Sequence, residues 1–155
     1  MAQLVPPMKP RPRPARRLAA IEAGLRDIYA RLEGEMAGLS VRCKACGRCC
    51  HFAELDHVLY LSNVEAHYLC RGRRPSGGGT ERCPFQKGRR CTAHARRALG
   101  CRTFFCDRRD REALQALYEA YLGEIKRLAE GAGVPWRYAR LSEQLEAVRE
   151  GSLTS

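Results

Sequence analysis

The sequence contains no long apolar run. None of its 155 residues lie in a stretch that approaches the roughly 20 apolar residues of a membrane-spanning helix. The first segment, MAQLVPPMKPRPRPARR, is basic but lacks the apolar core of a secretory signal. Its five prolines also oppose the amphipathic helix of an organelle transit peptide. We therefore expect a cytoplasmic protein without a membrane partner, in a compartment that keeps thiols reduced.

The residue patterns of common catalytic sites are missing as well. The sequence has no phosphate-binding glycine loop, no Ser/His/Asp arrangement and no pair of carboxylates suited to a catalytic pocket. We also find no internal repeat and no convincing strand pattern. The sequence therefore gives no enzyme assignment, although an iron–sulfur centre would allow redox activity.

Cysteine, in contrast, is abundant. The chain has nine cysteines, and four of them fall within CKACGRCC at residues 43–50. Two residues between cysteines let one tight turn bring both sulfurs to the same ion, and Gly47 can adopt the positive φ that such a turn needs. In a reduced compartment this density favours metal binding over disulfides.

Three segments have the apolar period of amphipathic helices. They are predicted at residues 17–37, about 114–130 and about 141–149, and Ser62 with Glu65 matches the capping box of a further helix start. The apolar positions recur at steps of three and four, namely Leu18, Ile21, Leu25, Ile28, Leu32 and Met36, then Leu114, Leu117, Tyr121, Ile125 and Leu128, then Leu141, Leu145 and Val148.

The segment between Arg71 and Thr103 has few large apolar side chains, only Phe85 and Leu99. Residues 71–82, with three consecutive glycines, predict a flexible connection. Ordering such a segment costs on the order of 1–2 kcal/mol per residue. We therefore expect metal coordination to supply the missing free energy.

These observations predict a mainly α fold. A small, loop-rich, metal-stapled cysteine centre would pack between N- and C-terminal amphipathic helices. Residues 1–16 would form a disordered, basic, proline-rich tail, and residues 17–150 one domain. That domain would contain a helix at 17–37, a cysteine core at 41–107 and further helices at 108–150.

The cysteine core resembles a known family. The motifs are CKACGRCC, Glu65 in LSNVEAHYL, CPF at 83–85 and CTAHARRALGCRTFFC at 91–106. Together they are similar to the C-x-x-C-x-x-C-C pattern of bacterial cysteine-cluster proteins of the YkgJ type, described as zinc- or iron-chelating domains. His94 stands where that family often has tyrosine, and Ala98 and Phe105 replace prolines. The resemblance covers about residues 41–107 and implies chelation, but no defined reaction.

We therefore predict a metal-binding protein whose role is structural, redox or metal delivery. The expected ligands are the eight cysteines of this pattern, Cys43, Cys46, Cys49, Cys50, Cys83, Cys91, Cys101 and Cys106. Cys70 lies outside the pattern and is predicted to be a helix-end thiol. Arg97 and Arg102 are predicted to hydrogen-bond thiolates or helix carbonyls, and His51 and His94 to lie beside the site without binding the metal.

The identity of the metal stays open. All-sulfur ligation suits zinc and iron–sulfur clusters alike. The triple Cys43, Cys46 and Cys49 with a distant Cys83–Pro84 is similar to a ferredoxin-type arrangement, whereas paired C-x-x-C turns are the usual zinc pattern. The eight cysteines could serve two four-ligand sites, or one site plus structural thiols.

The charge distribution supports an alternative, a zinc-stapled nucleic-acid-binding module. The net charge is +11, and residues 42–111 carry sixteen basic and six acidic side chains. Arginines of 71–111 and the basic tail would contact phosphates. Against this hypothesis, those arginine runs lack interleaved aromatic residues, and we interpret Trp136 and Tyr138 as core anchors rather than a base-stacking platform.

A second alternative is a thiol oxidoreductase that uses Cys46 and Cys49. This chemistry normally occurs at the start of a helix beside a parallel sheet, and the sequence predicts no such sheet. The sequence leaves any protein partner open.

Overall fold

A computed structural model of the chain describes residues 10, 13–71, 73, 75, 78–107, 109–151 and 153. Six α-helices and two short two-stranded antiparallel ribbons occur in this part of the chain. The mainly α class is confirmed. The helices are α1 Pro14–Met36, α2 Phe52–Leu55, α3 Asn63–Leu69, α4 Leu99–Thr103, α5 Arg111–Gly131 and α6 Leu141–Arg149.

Helix α1 begins within the predicted tail. Its first residue is Pro14, three positions before the predicted start. Proline is favourable there because the first turn of a helix does not use its backbone N–H groups, and its fixed φ suits a helix start. Most of the predicted tail, at residues 1–9, 11 and 12, lies outside the described residues.

The first hydrophobic cluster joins the two long helices, which pack against each other. It contains most of the predicted apolar face of α1, part of α5, and side chains of α3 and α4. Leu25, Leu32 and Ile125 are fully buried there. The helical periods in the sequence therefore predict most of the α1 and α5 positions of this cluster, although Leu18 is not among its members and Met36, Leu117 and Leu128 are only partly buried. Its buried members are Ile21, Leu25, Ile28, Tyr29, Leu32, Val64, Tyr68, Leu99, Tyr121, Ile125, Ala129 and Val134.

The second hydrophobic cluster contains the buried side chains of the later cysteine-bearing segment, together with residues of α2, α3, α6 and the strand β1 Tyr60–Ser62. Phe85 is buried in it, together with the small side chains of Cys83, Ala93 and Ala98. Helices α3 and α6 pack against each other at this cluster, where Leu141 and Leu145 are buried. The prediction from large apolar side chains alone therefore underestimated how much of this segment enters the core.

The described residues also contain four short strands, which no pattern in the sequence predicts. Strand β1 Tyr60–Ser62 pairs with β4 Tyr138–Arg140, and β2 Gln86–Lys87 pairs with β3 Arg90–Cys91. Two or three residues are too short to produce a recognisable alternation of polar and apolar positions. The β2–β3 ribbon forms by pairing of neighbouring segments, and the β1–β4 ribbon forms by pairing of segments that are distant in the sequence.

Helix α3 has the predicted capping box. The Ser62 side chain accepts a hydrogen bond from the Glu65 N–H, and the Ser62 N–H and hydroxyl donate to Glu65 Oε2 at 2.8 and 2.7 Å. Two further donors reach Glu65 Oε1, the Tyr29 hydroxyl at 3.1 Å and the Leu99 N–H at 2.8 Å. This buried carboxylate therefore connects α1, α3 and α4.

The described residues between 71 and 82 contain no helix or strand, in agreement with the predicted connection. Across the part of the chain that the structure describes, no helix is both long enough and apolar enough to span a bilayer.

Candidate metal centre

The loop that carries the first four cysteines turns at Gly47. Its φ of +74° precedes a 3₁₀ turn at Arg48–Cys50, which confirms the predicted positive φ. A Cβ atom on Gly47 would lie 2.6 Å from the Arg89 carbonyl oxygen and 2.7 Å from Gln86 Nε2. Gln86 Nε2 donates to the Gly47 carbonyl at 2.7 Å. The loop is thus held against the β2–β3 ribbon.

The backbone also brings the later cysteines to this loop. The Cys83 N–H donates to the Cys50 carbonyl at 2.9 Å. Cys91 lies in β3 opposite Gln86, and Cys101 lies in α4. Three distant segments therefore meet at the second hydrophobic cluster, where Cys83 is buried and Cys50, Cys91 and Cys101 are partly buried.

Five of the predicted ligands form what we term the inner thiol group. Hydrogen bonds connect the thiol of Cys50 to those of Cys49 and Cys83. Cys91 and Cys101 lie close enough to Cys50 for their charges to interact. The inner thiol group is therefore centred on Cys50.

Two more predicted ligands form what we term the outer thiol pair. Cys46 and Cys106 share a thiol–thiol hydrogen bond, and both residues are exposed. Cys46 thus contacts Cys106, whereas a thiol oxidoreductase of the type considered above would use Cys46 with Cys49. Cys43 is exposed, and its sulfur accepts a hydrogen bond from the Ala45 N–H at 3.4 Å.

All nine cysteines are free thiols. Cys70 ends α3 as its C-cap residue and is buried, so the prediction of a helix-end thiol is confirmed. Burial raises the pKa of Cys70 to about 11.

The thiols of the inner group resist ionisation. Burial, followed by the charges of Cys50, Cys49 and Cys91, raises the pKa of Cys101 to about 12. At Cys50 the hydrogen bond with Cys49 lowers the pKa, but the hydrogen bond with Cys83, burial and neighbouring thiolates outweigh it and raise that pKa to about 12. The hydrogen bond with Cys50 holds the pKa of Cys49 well above its ordinary value.

The outer pair differs in its electrostatics. A hydrogen bond from the Arg48 backbone N–H is the main cause that lowers the pKa of Cys46. Cys46 is therefore the thiol of the pair that ionises more readily, since burial and the contact with Cys46 raise the pKa of Cys106.

These contacts are pairwise. Among the residues that the structure describes, no three His, Cys, Asp or Glu side chains surround a common point as the ligands of a metal ion do. The eight predicted ligands are therefore distributed over an inner group of five, an outer pair and the separate Cys43.

Arg102 supports the backbone beside the inner thiol group. Its buried guanidinium donates to the Arg97 and Ala95 carbonyls at 2.9 and 3.0 Å and to Glu33 at 2.6 Å. It also lies over the Tyr29 ring, 3.9 Å from the centroid. Burial lowers the pKa of Arg102 from its usual range. Arg102 therefore contacts carbonyls, one of the two kinds of partner predicted for it.

Arg97 and the two histidines lie at the edge of the site. The Arg97 guanidinium contacts the His94 ring at 2.8 Å and donates to the His94 carbonyl at 3.0 Å, and its positive charge acts on Cys49. His51 Nδ1 contacts Glu54 at 3.1 Å, and its Nε2 contacts Arg82 at 3.3 Å.

His57 has a position that the sequence analysis did not anticipate. Its Nε2 contacts the Cys49 carbonyl at 3.1 Å, and its ring stacks on Phe104 with centroids 4.9 Å apart. The Phe52 ring meets it edge-on. His57 thus connects the 43–50 loop to the residues that precede Cys106. No cysteine spacing or helical period could identify this role, because the partners are distant in sequence.

The chain has no match among protein-family models, curated proteins or solved structures. The resemblance to the YkgJ type therefore stays a prediction from the motifs.

Proposed function

We propose that the protein binds zinc or iron, the latter as an ion or an iron–sulfur cluster, through the eight cysteines of the motif. The observation that carries the proposal is the inner thiol group, in which the thiol of Cys50 contacts those of its neighbour Cys49 and of Cys83 and lies near Cys91 and Cys101 from later segments. Five apposed thiols repel one another when ionised, and a bound cation removes that repulsion.

The donor set fits this class of metal. Thiolates are the preferred ligands of zinc and of iron–sulfur clusters. The inner thiol group would supply the first ligands, and Cys43, Cys46 and Cys106 would complete the set at the exposed side. Zinc would supply structural cross-linking, whereas an iron–sulfur cluster would supply electron transfer.

The test is anaerobic purification followed by elemental analysis, an assay for acid-labile sulfide and a visible absorption spectrum. A colourless protein with bound zinc selects the zinc centre, and a brown protein with iron and sulfide selects the cluster. Protein that contains neither metal, and takes up neither zinc nor iron after anaerobic reconstitution, would overturn the proposal.

The chain offers a matched pair of variants. Cys83 and Cys70 are both buried in the second hydrophobic cluster, but only Cys83 contacts the Cys50 thiol. We expect Cys83→Ala to lose at least half of the bound metal and Cys70→Ala to keep it. Equal metal content in the two variants would show that the inner thiol group is not the binding site.

A further inference from the structure

The β1–β4 ribbon carries exposed aromatic rings. Tyr60 and Tyr138 are 39% and 37% exposed. Their rings stack with centroids 5.8 Å apart, and Trp136 stacks on Tyr138 at 6.4 Å with the ring planes within 5°. Tyr138 is therefore a surface residue, which corrects its interpretation as a core anchor. Trp136, partly buried against the first hydrophobic cluster, agrees with that interpretation in part.

Arginines alternate with these rings along the chain. Arg137 and Arg140 are exposed on either side of Tyr138, and Arg140 lies opposite Tyr60 in the ribbon. Arg140 Nε donates to the Tyr60 hydroxyl at 3.4 Å. An acidic side chain also lies here, since Glu143 accepts the Arg140 N–H at 3.1 Å. We term the set Tyr60, Trp136, Arg137, Tyr138 and Arg140 the aromatic–arginine face.

Hydrogen bonds hold this face in place from behind. Buried Gln144 donates to the carbonyls of Leu61 and Arg137 at 2.9 and 3.0 Å. Asn63 donates to the Pro135 carbonyl at 2.9 Å and accepts the Arg137 N–H at 3.2 Å. The segment before α6 is thus tied to β1 and α3. A ligand would find the rings already positioned, so binding would cost little ordering entropy.

We propose that the aromatic–arginine face binds single-stranded nucleic acid. Bases would stack against the row of rings that Trp136, Tyr138 and Tyr60 form, and Arg137 and Arg140 would contact the phosphates. Every nucleotide offers an aromatic plane and one negative charge, which is the alternation that this face complements. The net charge of +11 attracts a polyanion to the chain as a whole, and Arg137 and Arg140 supply positive charge at this face, although residues 112–155 carry five basic and seven acidic side chains. The site contains no cysteine and does not depend on the proposed metal.

The test uses the full chain and fluorescently labelled 12-nucleotide oligo-U, oligo-dT and a DNA duplex, with binding measured by anisotropy at 50 and 200 mM salt. We expect both single strands to bind more tightly than the duplex and to quench the fluorescence of Trp136, the only tryptophan in the chain. Binding to RNA alone or DNA alone supports the proposal and identifies the nucleic acid. No binding to either single strand at 50 mM salt would overturn it.

Variants of single residues distinguish base stacking on these rings from general electrostatic attraction to the protein. Tyr138→Ala should weaken single-strand binding about tenfold or more, because one stacked base contributes about 1–3 kcal/mol, and Tyr138→Phe should stay within about threefold. Phe104→Ala is the matched control, since Phe104 is also 37% exposed but lies beside the thiols. Equal losses in Tyr138→Ala and Phe104→Ala would contradict the proposal, as would tighter binding of a polyglutamate peptide than of oligo-U.

A charge variant tests the phosphate contact. Arg137→Ala should lower the slope of log affinity against log salt by about 0.7 for a single strand. Arg111→Ala, which removes an exposed arginine at the start of α5, should affect binding less. An Arg111→Ala effect as large as that of Arg137→Ala would show diffuse attraction in place of a defined site. Circular dichroism of each variant verifies that it is folded.

Discussion

Two glycines of the cysteine-bearing segment have left-handed backbones and different surroundings. Gly47 has a φ of +74° and Gly88 a φ of +61°. A Cβ on Gly47 would meet the Arg89 carbonyl oxygen at 2.6 Å, whereas a Cβ on Gly88 would meet nothing within 4 Å. Gly47 and Gly88 therefore both need the backbone freedom of glycine, but only Gly47 also needs its lack of a side chain.

We predict that Gly47→Ala destabilises the fold more than Gly88→Ala does. Both variants incur the left-handed backbone cost of about 1–2 kcal/mol, but only Gly47→Ala must also displace the β2–β3 ribbon. Urea unfolding of both variants measures the difference, with Gly88→Ala as the control. Equal midpoints would mean that the ribbon moves aside freely and does not hold the loop.

The sequence could predict Gly47 because its role is local, between two closely spaced cysteines. It could not predict His57 or the full role of Arg102, because their partners come from distant segments, as in the contact of Arg102 with Glu33. It also missed Ala93 and Ala98 as core residues. Small side chains reach a core only when neighbouring segments approach closely, and that approach is a tertiary property.

A polar contact joins the residues that follow α1 to the start of α5. The Ser40 N–H and hydroxyl both donate to Asp110 Oδ2 at 2.7 Å, and Asp110 is the N-cap residue of α5. These hydrogen bonds, first the one from the side chain and then the one from the backbone, lower the pKa of Asp110 below its ordinary value of 3.8.

We predict that this contact depends on pH. A lowered pKa means that its contribution to stability is fully present above pH 3.8 and is lost as the pH falls through the lower folded value. An NMR titration of the Asp110 carboxyl carbon should therefore have its midpoint below 3.8. Ser40→Ala is the control and should return the midpoint toward 3.8. An unchanged midpoint in Ser40→Ala would assign the shift to another group.

Element boundaries were predicted best where local signals are strong. The capping box marks the start of α3, and the apolar period gives α6 its observed limits, Leu141–Arg149. The strands had no such signal. Tyr60–Ser62 pairs with a segment almost 80 positions away, so no local window contains both strands.

The part of the chain that the structure describes has two hydrophobic clusters of different composition. The first is built from large side chains of the long helices, whereas the second includes Cys83 and contacts Cys50, Cys91 and Cys101. Helix α3 contributes to both clusters, with Val64 and Tyr68 in the first and Ala66 and Leu69 in the second. On the proposed function, the metal would therefore stabilise mainly the second cluster.

We predict that removing the metal accelerates amide hydrogen exchange more in the second hydrophobic cluster than in the first. After chelation, amide hydrogen exchange should become at least tenfold faster at residues 83–101 and change little in α1 and α5, because only the first segment depends on the thiols for its order. Hydrogen-exchange mass spectrometry of the metal-bound and chelated protein measures this. In Cys83→Ala the chelator should have little further effect. Uniform acceleration along the chain would contradict a local role for the metal.

On the proposed function, the contacts of Glu65 restrict the routes by which a metal or a thiol reagent would reach the sulfurs. Its buried carboxylate receives hydrogen bonds from Tyr29 of α1, from Ser62 and from Leu99 of α4. Parting α4 from α1 would cost Glu65 Oε1 a donor from Tyr29 or Leu99 and leave the Ser62 donors on Oε2, and this loss opposes a passage between these helices. A metal or a reagent would therefore reach the thiols from the loop surface, where Cys46 and Cys106 are exposed.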